Sequence, residues 1–399
     1  MNVRPAVVEA RRDVATANAL SERAAKVAAV AAQYAEAVDR DSRFPEQAIA
    51  AARRERLLGA AVPLELGGEG AGIGAIADVC YALGRACAST AMIYAMHQTK
   101  VACLLRHGRD SGWHQLLLRR LAGEQLLLAS STTEGERGGD VRNSAAPIVR
   151  DGARIALQRQ ATVISYGRAA DAIVTTARRC ADAASSDQVL VVFLKTDYRL
   201  EPLVGWDALG MRGTCSEGFR LLASGLSEQI LPAGYATIHA HTMMPVAHLL
   251  WSAAWAGIAT AAVERARGFV REAARRAGGT PPPAAAQLAR ATAALRTLRG
   301  LIASALARFE AADAAALDAV EFQTGMNLLK VSASELAVAA VTGAMQACGL
   351  SGYRNDGEFS IARQLRDILS APIMIGNDRI LANIAAASLV GGAPNSLRD

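Results

Sequence analysis

The sequence lacks closely spaced cysteines and blocks of basic charge. No Cys-x-x-Cys pair occurs among its six cysteines, which are Cys80, Cys87, Cys103, Cys180, Cys215 and Cys348. Isolated cysteines of this kind exclude a disulfide framework and favour a reducing, cytoplasmic compartment, and we expect no metal site. The net charge of +6 is spread along the chain in small mixed groups such as residues 53–56. Because a basic tail or stripe is missing, nucleic-acid binding is not expected.

The sequence also has no apolar stretch near its start. Residues 1–13 carry several charges, so we expect no secretory signal. The most apolar run, residues 246–263, is long enough to suggest a membrane span, yet it is rich in alanine and carries His248 and two tryptophans. We therefore expect this run to be a buried helix of a large bundle, and we expect no membrane span.

The distribution of apolar residues divides the chain into three parts. With 399 residues, of which 52% are hydrophobic, the chain is long enough to form several domains. Apolar residues recur three and four positions apart from residue 14 to about residue 123, and again from residue 242 onward, which predicts helices. In between, short β-rich pieces are separated by turn residues, at residues 161–165, 172–177 and 188–194. The predicted order is helical, β, helical.

Motifs in the first two parts of the chain point to a family. Residues 133–140 read TEGERGGD and residues 210–216 read GMRGTCS, after a proline- and glycine-rich loop at residues 62–70. These segments resemble the Thr-Glu-Pro-Gly-Ala-Gly-Ser-Asp signature, the Gly-Met-Arg strand and the N-terminal loop of the acyl-CoA dehydrogenase superfamily. Their joint occurrence makes the resemblance specific.

The C-terminal part carries further motifs of the same family. Arg275 precedes a Gly-Gly turn that is similar to the family's Arg-x-x-Phe-Gly turn, and Gln287 falls near the expected glutamine. Residues 346–353 read QACGLSGY and resemble the Gln-x-x-Gly-Gly-x-Gly-Tyr segment, while residues 366–367 match the Arg-Asp element. The resemblance implies an α+β multi-domain fold that has an N-terminal α-helical domain (residues 1–125), a middle β-barrel-like domain (126–240) and a C-terminal four-helix bundle (241–399).

The resemblance also implies a cofactor and the residues that bind it. In this family FAD lies between the β domain and the last bundle, and a neighbouring subunit reaches its pyrophosphate, so FAD and a homodimer or homotetramer are implied. Hydroxyl and backbone donors suit the pyrimidine end of a flavin, and the forked donors of an arginine suit a phosphate. The flavin-binding residues that we expect are Ser130, Thr133, Ser165, Arg275, Gln287, Gln346, Gly349 and Asn377.

The glutamate that removes the substrate α-proton in the family's dehydrogenases is missing from both of its known places. The commonest place is an Ile-Tyr-Glu-Gly-Thr segment, which here reads Ile-Met-Ile-Gly-Asn and puts Ile375 at the glutamate. The second place precedes an arginine by one residue, and counting back from Gly257 puts Ala247 at the glutamate and His248 at that arginine. His248 is a candidate replacement base because an imidazole titrates near neutral pH, and a buried structural histidine is the competing interpretation. We do not expect Glu358 or Asp378 to supply the base.

A second resemblance favours a different reaction. Residues 89–97, which end at His97, are similar to a helix of flavin-dependent monooxygenases of the dibenzothiophene monooxygenase group, and Ser165 matches a serine used there. In that group the histidine at the place of His97 lies near the flavin and supports oxygenation of the substrate. The group's C-terminal histidine is absent here, where residues 371–375 read APIMI. Core packing is the competing interpretation of His97.

Three functions are compatible with these patterns. We favour oxidation of an acyl thioester, on coenzyme A or on a carrier protein, at its α and β carbons, with an electron-transfer flavoprotein or oxygen as the acceptor. A reduced-flavin monooxygenase and a catalytically silent flavoprotein subunit are the alternatives. His248 is the candidate catalytic residue for the first reaction and His97 for the second.

Overall fold

The structure is a computed structural model that describes residues 4–134 and 141–388. Its first part is helical and contains α1 (Arg4–Arg40), α2 (Glu46–Arg54), α3 (Ile73–Ala86), α4 (Ala88–His107) and α5 (Gly112–Glu124). The extended residue Cys87 separates α3 from α4. Buried residues recur three and four positions apart, as in Leu20, Ala24, Val27 and Ala31 of α1. Each such helix therefore turns one apolar face to the core, as predicted.

The middle part contains the strands. They are β1 (Leu128–Ser131), β2 (Val149–Asp151), β3 (Arg154–Ile164), β4 (Ala172–Arg178), β5 (Gln188–Leu194), β6 (Tyr198–Val204) and β7 (Glu217–Leu226). One sheet has the order β1-β4-β5, and a second, antiparallel sheet has the order β2-β3-β7-β6. The predicted strands at residues 172–177 and 188–194 correspond to β4 and β5. The third predicted strand, residues 161–165, covers only the end of β3, which begins at Arg154. The first part of β3 was not predicted, because the buried Arg159 interrupts the alternation of apolar and polar residues by which a strand is recognised.

The C-terminal part is helical again. The short α6 (Tyr235–Ile238) passes through a π-helical turn (His239–Met243) into α7 (Met244–Arg276). The remaining helices are α8 (Ala284–Ala311), α9 (Ala314–Asp318), α10 (Val320–Cys348), α11 (Leu350–Tyr353), α12 (Ala362–Ile368) and α13 (Asn377–Ser388). Helices α7, α8 and α10 share one apolar core, and α13 covers α10 through Val331, Ile380 and Ile384. These four helices form the predicted bundle.

Close packing between α3 and α7 joins the first part of the chain to the bundle. A Cβ atom on Gly84 would lie 2.3 Å from the Ala254 carbonyl oxygen, and one on Gly257 would lie 2.3 Å from the Tyr81 carbonyl oxygen. This approach is open only to glycine, which has no Cβ. The hydroxyls of Tyr81 and Thr260 are hydrogen-bonded across the same contact at 3.0 Å. Helix α7 is thus held by α3 on one side and by α8 and α10 on another. The side chains on its remaining face therefore have defined positions.

Two helical segments are long and apolar enough to cross a membrane by length and composition alone. They are the continuous segment Tyr235–Arg276 and α10. The most apolar window of the first segment is 89% buried inside the structure, and that of α10 is 50% buried. Such burial is typical of a bundle core, which is the role predicted for residues 246–263.

The Gly-Met-Arg segment is not a strand. Arg212–Thr214 forms a 3-10 turn, and Met211 lies in the left-handed region with φ 53°. A Cβ atom on Gly210 would lie 2.1 Å from the Arg366 carbonyl oxygen, and the Met211 N–H donates to the Asp367 carboxylate at 2.6 Å. The segment bends because it docks on the Arg-Asp element, so two motifs that are distant in sequence meet in space.

Candidate active site

A large cavity opens where the three parts of the chain meet. Its volume is about 1600 Å³. The wall combines one face of α4, residues of β1 and β3, the π turn with α7, and the segment before α13. From α4 it takes Met92, Met96, Thr99 and Lys100, and from α7 it takes Met244, Ala247, His248 and Trp251. A cavity of this size, with a few polar groups in an apolar wall, is the candidate active site.

A chain of hydroxyl groups lies on the β side of the cavity. Thr214 donates to the Met211 carbonyl (2.8 Å), the Ser216 hydroxyl lies 2.7 Å from that of Thr214, and the Ser165 hydroxyl lies 2.7 Å from that of Ser216. Because the Thr214 proton is used by Met211, Ser216 donates to Thr214 and Ser165 donates to Ser216. The Ser165 oxygen therefore presents lone pairs to the cavity. Hydroxyl and backbone donors are predicted from Thr133 and Ser165, whereas the Ser165 hydroxyl offers the cavity an acceptor, and its role toward a flavin stays a prediction.

Ser130 and Thr133 line the same side of the cavity as Ser165. The remainder of the TEGERGGD motif, residues 135–140, lies outside the described residues. Glu134 is held by other contacts, because it accepts a hydrogen bond from Ser144 (3.1 Å) and pairs with the buried Arg159 (3.4 Å). The structure thus brings three of the predicted flavin-binding residues together on one wall.

Ala247 and Ile375 both line the cavity. They are the residues that the sequence resemblance puts at the two glutamate places of the family's dehydrogenases. Among the described residues, Asp318 supplies the wall's one carboxylate, and its Oδ1 atom lies 2.6 Å from Nε2 of His241. Ile375 has φ 62°, a left-handed conformation that a β-branched residue rarely adopts. Within the described wall, the one carboxylate is therefore hydrogen-bonded to a histidine and comes from neither of these two places.

His248 faces the cavity from α7. Its Nδ1–H donates to the Met326 carbonyl of α10 (3.0 Å), which leaves the lone pair of Nε2 for a ligand. Burial, helped by the positive charge of Lys330, lowers the pKa of His248 to about 3. The ring is therefore neutral near pH 7. It is suited to accept a hydrogen bond, and it is a weaker base than an ordinary glutamate, whose pKa is about 4.3.

His97 is buried and does not line the cavity. Its Nε2–H donates to the Leu58 carbonyl (2.9 Å), and its Nδ1 accepts from the Leu128 N–H (3.0 Å). Burial lowers the pKa of His97 to about 4. Both ring nitrogens are used to join α4 to its neighbours. This placement supports the competing interpretation of His97 as a structural residue and gives no support to a catalytic role.

Four predicted flavin-binding residues lie away from this cavity, on the C-terminal bundle. Arg275 is exposed at the end of α7, Gln346 and Gly349 are exposed at the end of α10, and Gln287 is half-buried on α8. Such positions suit residues that contact the flavin of a neighbouring subunit, and that role remains a prediction.

Asn377 lies inside the bundle and not on the cavity wall. Its side-chain oxygen accepts a hydrogen bond from the Lys330 ammonium group (2.7 Å), and its amide donates to the Ser334 hydroxyl (3.0 Å). Both partners are buried on α10. These contacts explain Asn377 as an internal polar link between α13 and α10, without a flavin.

Sequence reasoning missed three residues of the wall. Lys100 lies on the cavity-facing stripe of α4, and His239 begins the π turn. The indole N–H of Trp251 is buried without a hydrogen-bond partner in the described part of the chain. A signal for Lys100 was present, because it recurs four residues after Met96 on an otherwise buried helix, where a lysine is unexpected.

Helices lie on either side of a β region, and the three parts share one cavity at their junction. The sequence pattern of the acyl-CoA dehydrogenase N-terminal domain matches residues 15–124, and that of the C-terminal domain matches residues 239–390. Together they match more than half of the chain, so this chain belongs to the acyl-CoA dehydrogenase superfamily. Flavin is accordingly its cofactor, as predicted.

Individual relatives have different activities. The chain is 28% identical to cyclohex-1-ene-1-carbonyl-CoA dehydrogenase from Geobacter metallireducens, and the match covers 88% of this chain and 92% of that protein. It is 26% identical to an amino sugar nitrososynthase from Streptomyces peucetius, over 84% of each chain. The structure of dibenzothiophene monooxygenase from Paenibacillus sp. A11-2 superposes with a TM-score of 0.77 at 16% identity, covering 95% of this chain and 99% of that one. Similarity therefore establishes the fold and leaves the reaction to the residues of the site.

Proposed function

We propose that this protein is a reduced-flavin-dependent monooxygenase. The observation that carries the proposal is the cavity wall, which contains Ala247 and Ile375 and, among the described residues, one carboxylate, that of Asp318. The family resemblance puts Ala247 and Ile375 at the places of the catalytic glutamates. Dehydrogenation of a thioester needs a base beside the α-carbon, and the carboxylate of Asp318 is bound to His241. Oxygenation needs no such base. This choice differs from the thioester oxidation that the sequence alone favours.

The residues of the wall suit a flavin. Ser165 offers an acceptor for an N–H group of the ring, while Ser130 and Thr133 lie beside it with further hydroxyls. The buried indole N–H of Trp251, which has no partner within the described residues, is a donor that a bound ligand would satisfy. We propose FAD as the nucleotide, with Arg275 of one subunit near the phosphates of its neighbour's flavin. The free cysteines support a reducing, cytoplasmic location.

The chain's own residues position and shield the reactants. Bound reduced flavin would supply the two electrons that, with two protons, convert dioxygen and an organic substrate into an oxygenated product and water. Met92 and Met96 give the wall an apolar surface that keeps water out. His248 is neutral and accepts a hydrogen bond through Nε2, which orients a donor group of the substrate.

Oxidation of an acyl thioester is the second candidate. The observation that favours it is the position of His248 beside Ala247, with Nε2 open to a ligand. The relative from Geobacter metallireducens is a dehydrogenase of a CoA thioester. For this reaction His248 would take the α-proton, and its lowered pKa makes it a weaker base than the glutamate it replaces.

The two candidates differ in what reduces the flavin and what reoxidises it. Purified flavin-loaded protein would be mixed anaerobically with a series of saturated acyl-CoA thioesters and with cyclohex-1-ene-1-carbonyl-CoA, while flavin absorbance is followed. We expect no bleaching. Protein reduced with dithionite would then be mixed with aerated buffer, and we expect rapid reoxidation. Fast bleaching by any thioester would contradict the proposal and favour the second candidate.

Ile375→Glu tests whether the missing carboxylate is what prevents dehydrogenation. We expect thioester-dependent bleaching to appear in this variant, because a general base contributes about 10²–10⁴-fold in rate. Ile375→Gln is the matched control, since it has the same shape and no basic group, and it should remain inactive. The left-handed backbone at this position tolerates unbranched residues better than isoleucine, so neither change should impair folding. A wild type as fast as the glutamate variant would show that another base is present.

A further inference from the structure

Lys100 is buried in the cavity wall without an acidic partner. The residue is 3% exposed, and its Nζ atom contacts the sulfur of Met243 at 3.4 Å. A thioether is a weak acceptor that does not neutralise an ammonium group. Within residues 4–134 and 141–388, Lys100 forms no ion pair. Buried charges are normally paired, so this lysine lacks a partner that a ligand would supply.

Acidic groups around the cavity are engaged elsewhere. Asp318 pairs with His241 at 2.6 Å, and Glu134 pairs with Arg159 at 3.4 Å. Burial raises the pKa of Cys103, the nearest acidic side chain on α4, to about 12, so this thiol is uncharged near pH 7. In the described structure, the corner of the cavity at Lys100 therefore has a positive charge that no anion balances.

The π turn brings two more polar side chains to this corner. The Tyr235 hydroxyl donates to the same Met243 sulfur at 3.3 Å, so Tyr235 and Lys100 meet at one point. His239 lies one helical turn after Tyr235 and also lines the cavity. Burial, helped by the positive charges of Arg142 and Lys100, lowers the pKa of His239 to about 4, so its ring is neutral and carries one N–H donor. π turns are rare and are frequent at functional sites.

We propose that Lys100 binds a carboxylate group of the substrate, with His239 as a second hydrogen-bond donor. A carboxylate would neutralise the ammonium group and accept from both side chains. A monoanion matches the single buried charge better than a dianionic phosphate does. The apolar body of this organic acid would lie along α4 toward Met96 and Met92, which is about 12 Å from Lys100 along the helix. The inference rests on the proposed function only because it takes the cavity as the substrate site. It applies equally to monooxygenation and to oxidation of an acyl thioester.

Equilibrium binding to the flavin-loaded protein tests this proposal. Isothermal titration calorimetry would compare benzoate with benzamide, and hexanoate with hexanamide, since the members of each pair are similar in size and differ in charge. At pH 7 we expect each carboxylate to bind at least about tenfold more tightly than its amide, as a charge-assisted hydrogen bond implies. Lys100→Met keeps the volume and should abolish this preference. Lys330→Met removes a buried lysine outside the wall and should retain it.

Two results would overturn the proposal. They are equal binding of acid and amide by the wild type, and a carboxylate preference that survives in Lys100→Met. If that variant keeps the preference and loses flavin, Lys100 is assigned to the flavin instead. Lys100→Glu adds a gain of function, because it should bind hexylamine in preference to hexanoate. No turnover is measured, so these outcomes do not depend on whether the proposed monooxygenation is correct.

Discussion

At the residue scale, Lys100 links substrate binding to stability. Burial lowers its pKa from 10.5 to about 8, so the folded protein holds this proton less tightly than the unfolded chain does. At pH 7 the buried charge lowers the free energy of unfolding by about 1–3 kcal/mol. We predict that Lys100→Met is more stable than the wild type by this amount in urea denaturation at pH 7. A residue that lowers stability in this way is typical of a functional site.

The pH dependence of this gain follows from the direction of the shift. Below about pH 8 both the folded and the unfolded states hold the proton, so the full penalty is present. Between pH 8 and 10.5 the folded state loses the proton first, and the penalty falls as the pH rises. The stability difference between Lys100→Met and the wild type should therefore shrink over this range. A variant that is less stable than the wild type at pH 7 would contradict the assignment of Lys100 as an unpaired buried charge.

At the scale of elements, the contact between α3 and α7 depends on Gly257. A Cβ atom there would lie 2.3 Å from the Tyr81 carbonyl oxygen, so Gly257→Ala must push the helices apart. We predict a loss of about 1–3 kcal/mol in the free energy of unfolding, measured by thermal or urea denaturation. Gly268→Ala on the same helix is the control, because its Cβ would meet only Phe359 at an ordinary 3.5 Å. That variant should gain up to about 1 kcal/mol from helix propensity. Equal effects of the two changes would contradict the tight crossing.

The sequence predicts which segments are helices or strands better than it predicts what each face of a helix contacts. Periodicity separates helical from β regions because it depends on neighbouring residues alone. It also places Met96 and Lys100 on one face of α4, but it does not say whether that face meets a core or a cavity. His97, one residue from Met96, illustrates the difficulty, because its sequence position is compatible both with a place near the flavin and with core packing, and the structure shows it joining α4 to β1. The π turn at His239–Met243 has no sequence signature that we recognise.

At the scale of the whole molecule, the predicted site residues divide into a group that lines the cavity and a group that lies outside it. Ser130, Thr133 and Ser165, which the resemblance assigns to the flavin, line the cavity together with His248, the candidate base, and these roles stay predictions. Arg275 lies outside it, on the exposed end of α7. If Arg275 contacts the flavin of a neighbouring subunit, as the family resemblance implies, neither the periodicity nor the fold of a single chain can reveal that contact.

Mixed oligomers provide a test of this division. Arg275→Ala should lose flavin, because a bidentate arginine–phosphate contact stabilises binding by roughly 1.5–3 kcal/mol. Ser165→Trp should also lose flavin, since the indole would fill its own cavity. When the two variants are co-expressed with different affinity tags and purified in tandem, the Arg275→Ala subunit has an intact cavity and receives Arg275 from its partner. We therefore expect a mixed dimer to hold one flavin in two cavities, measured by absorbance after gel filtration. Mixed oligomers without flavin would show that Arg275 does not act across subunits, and full flavin in Arg275→Ala alone would remove it from the flavin site.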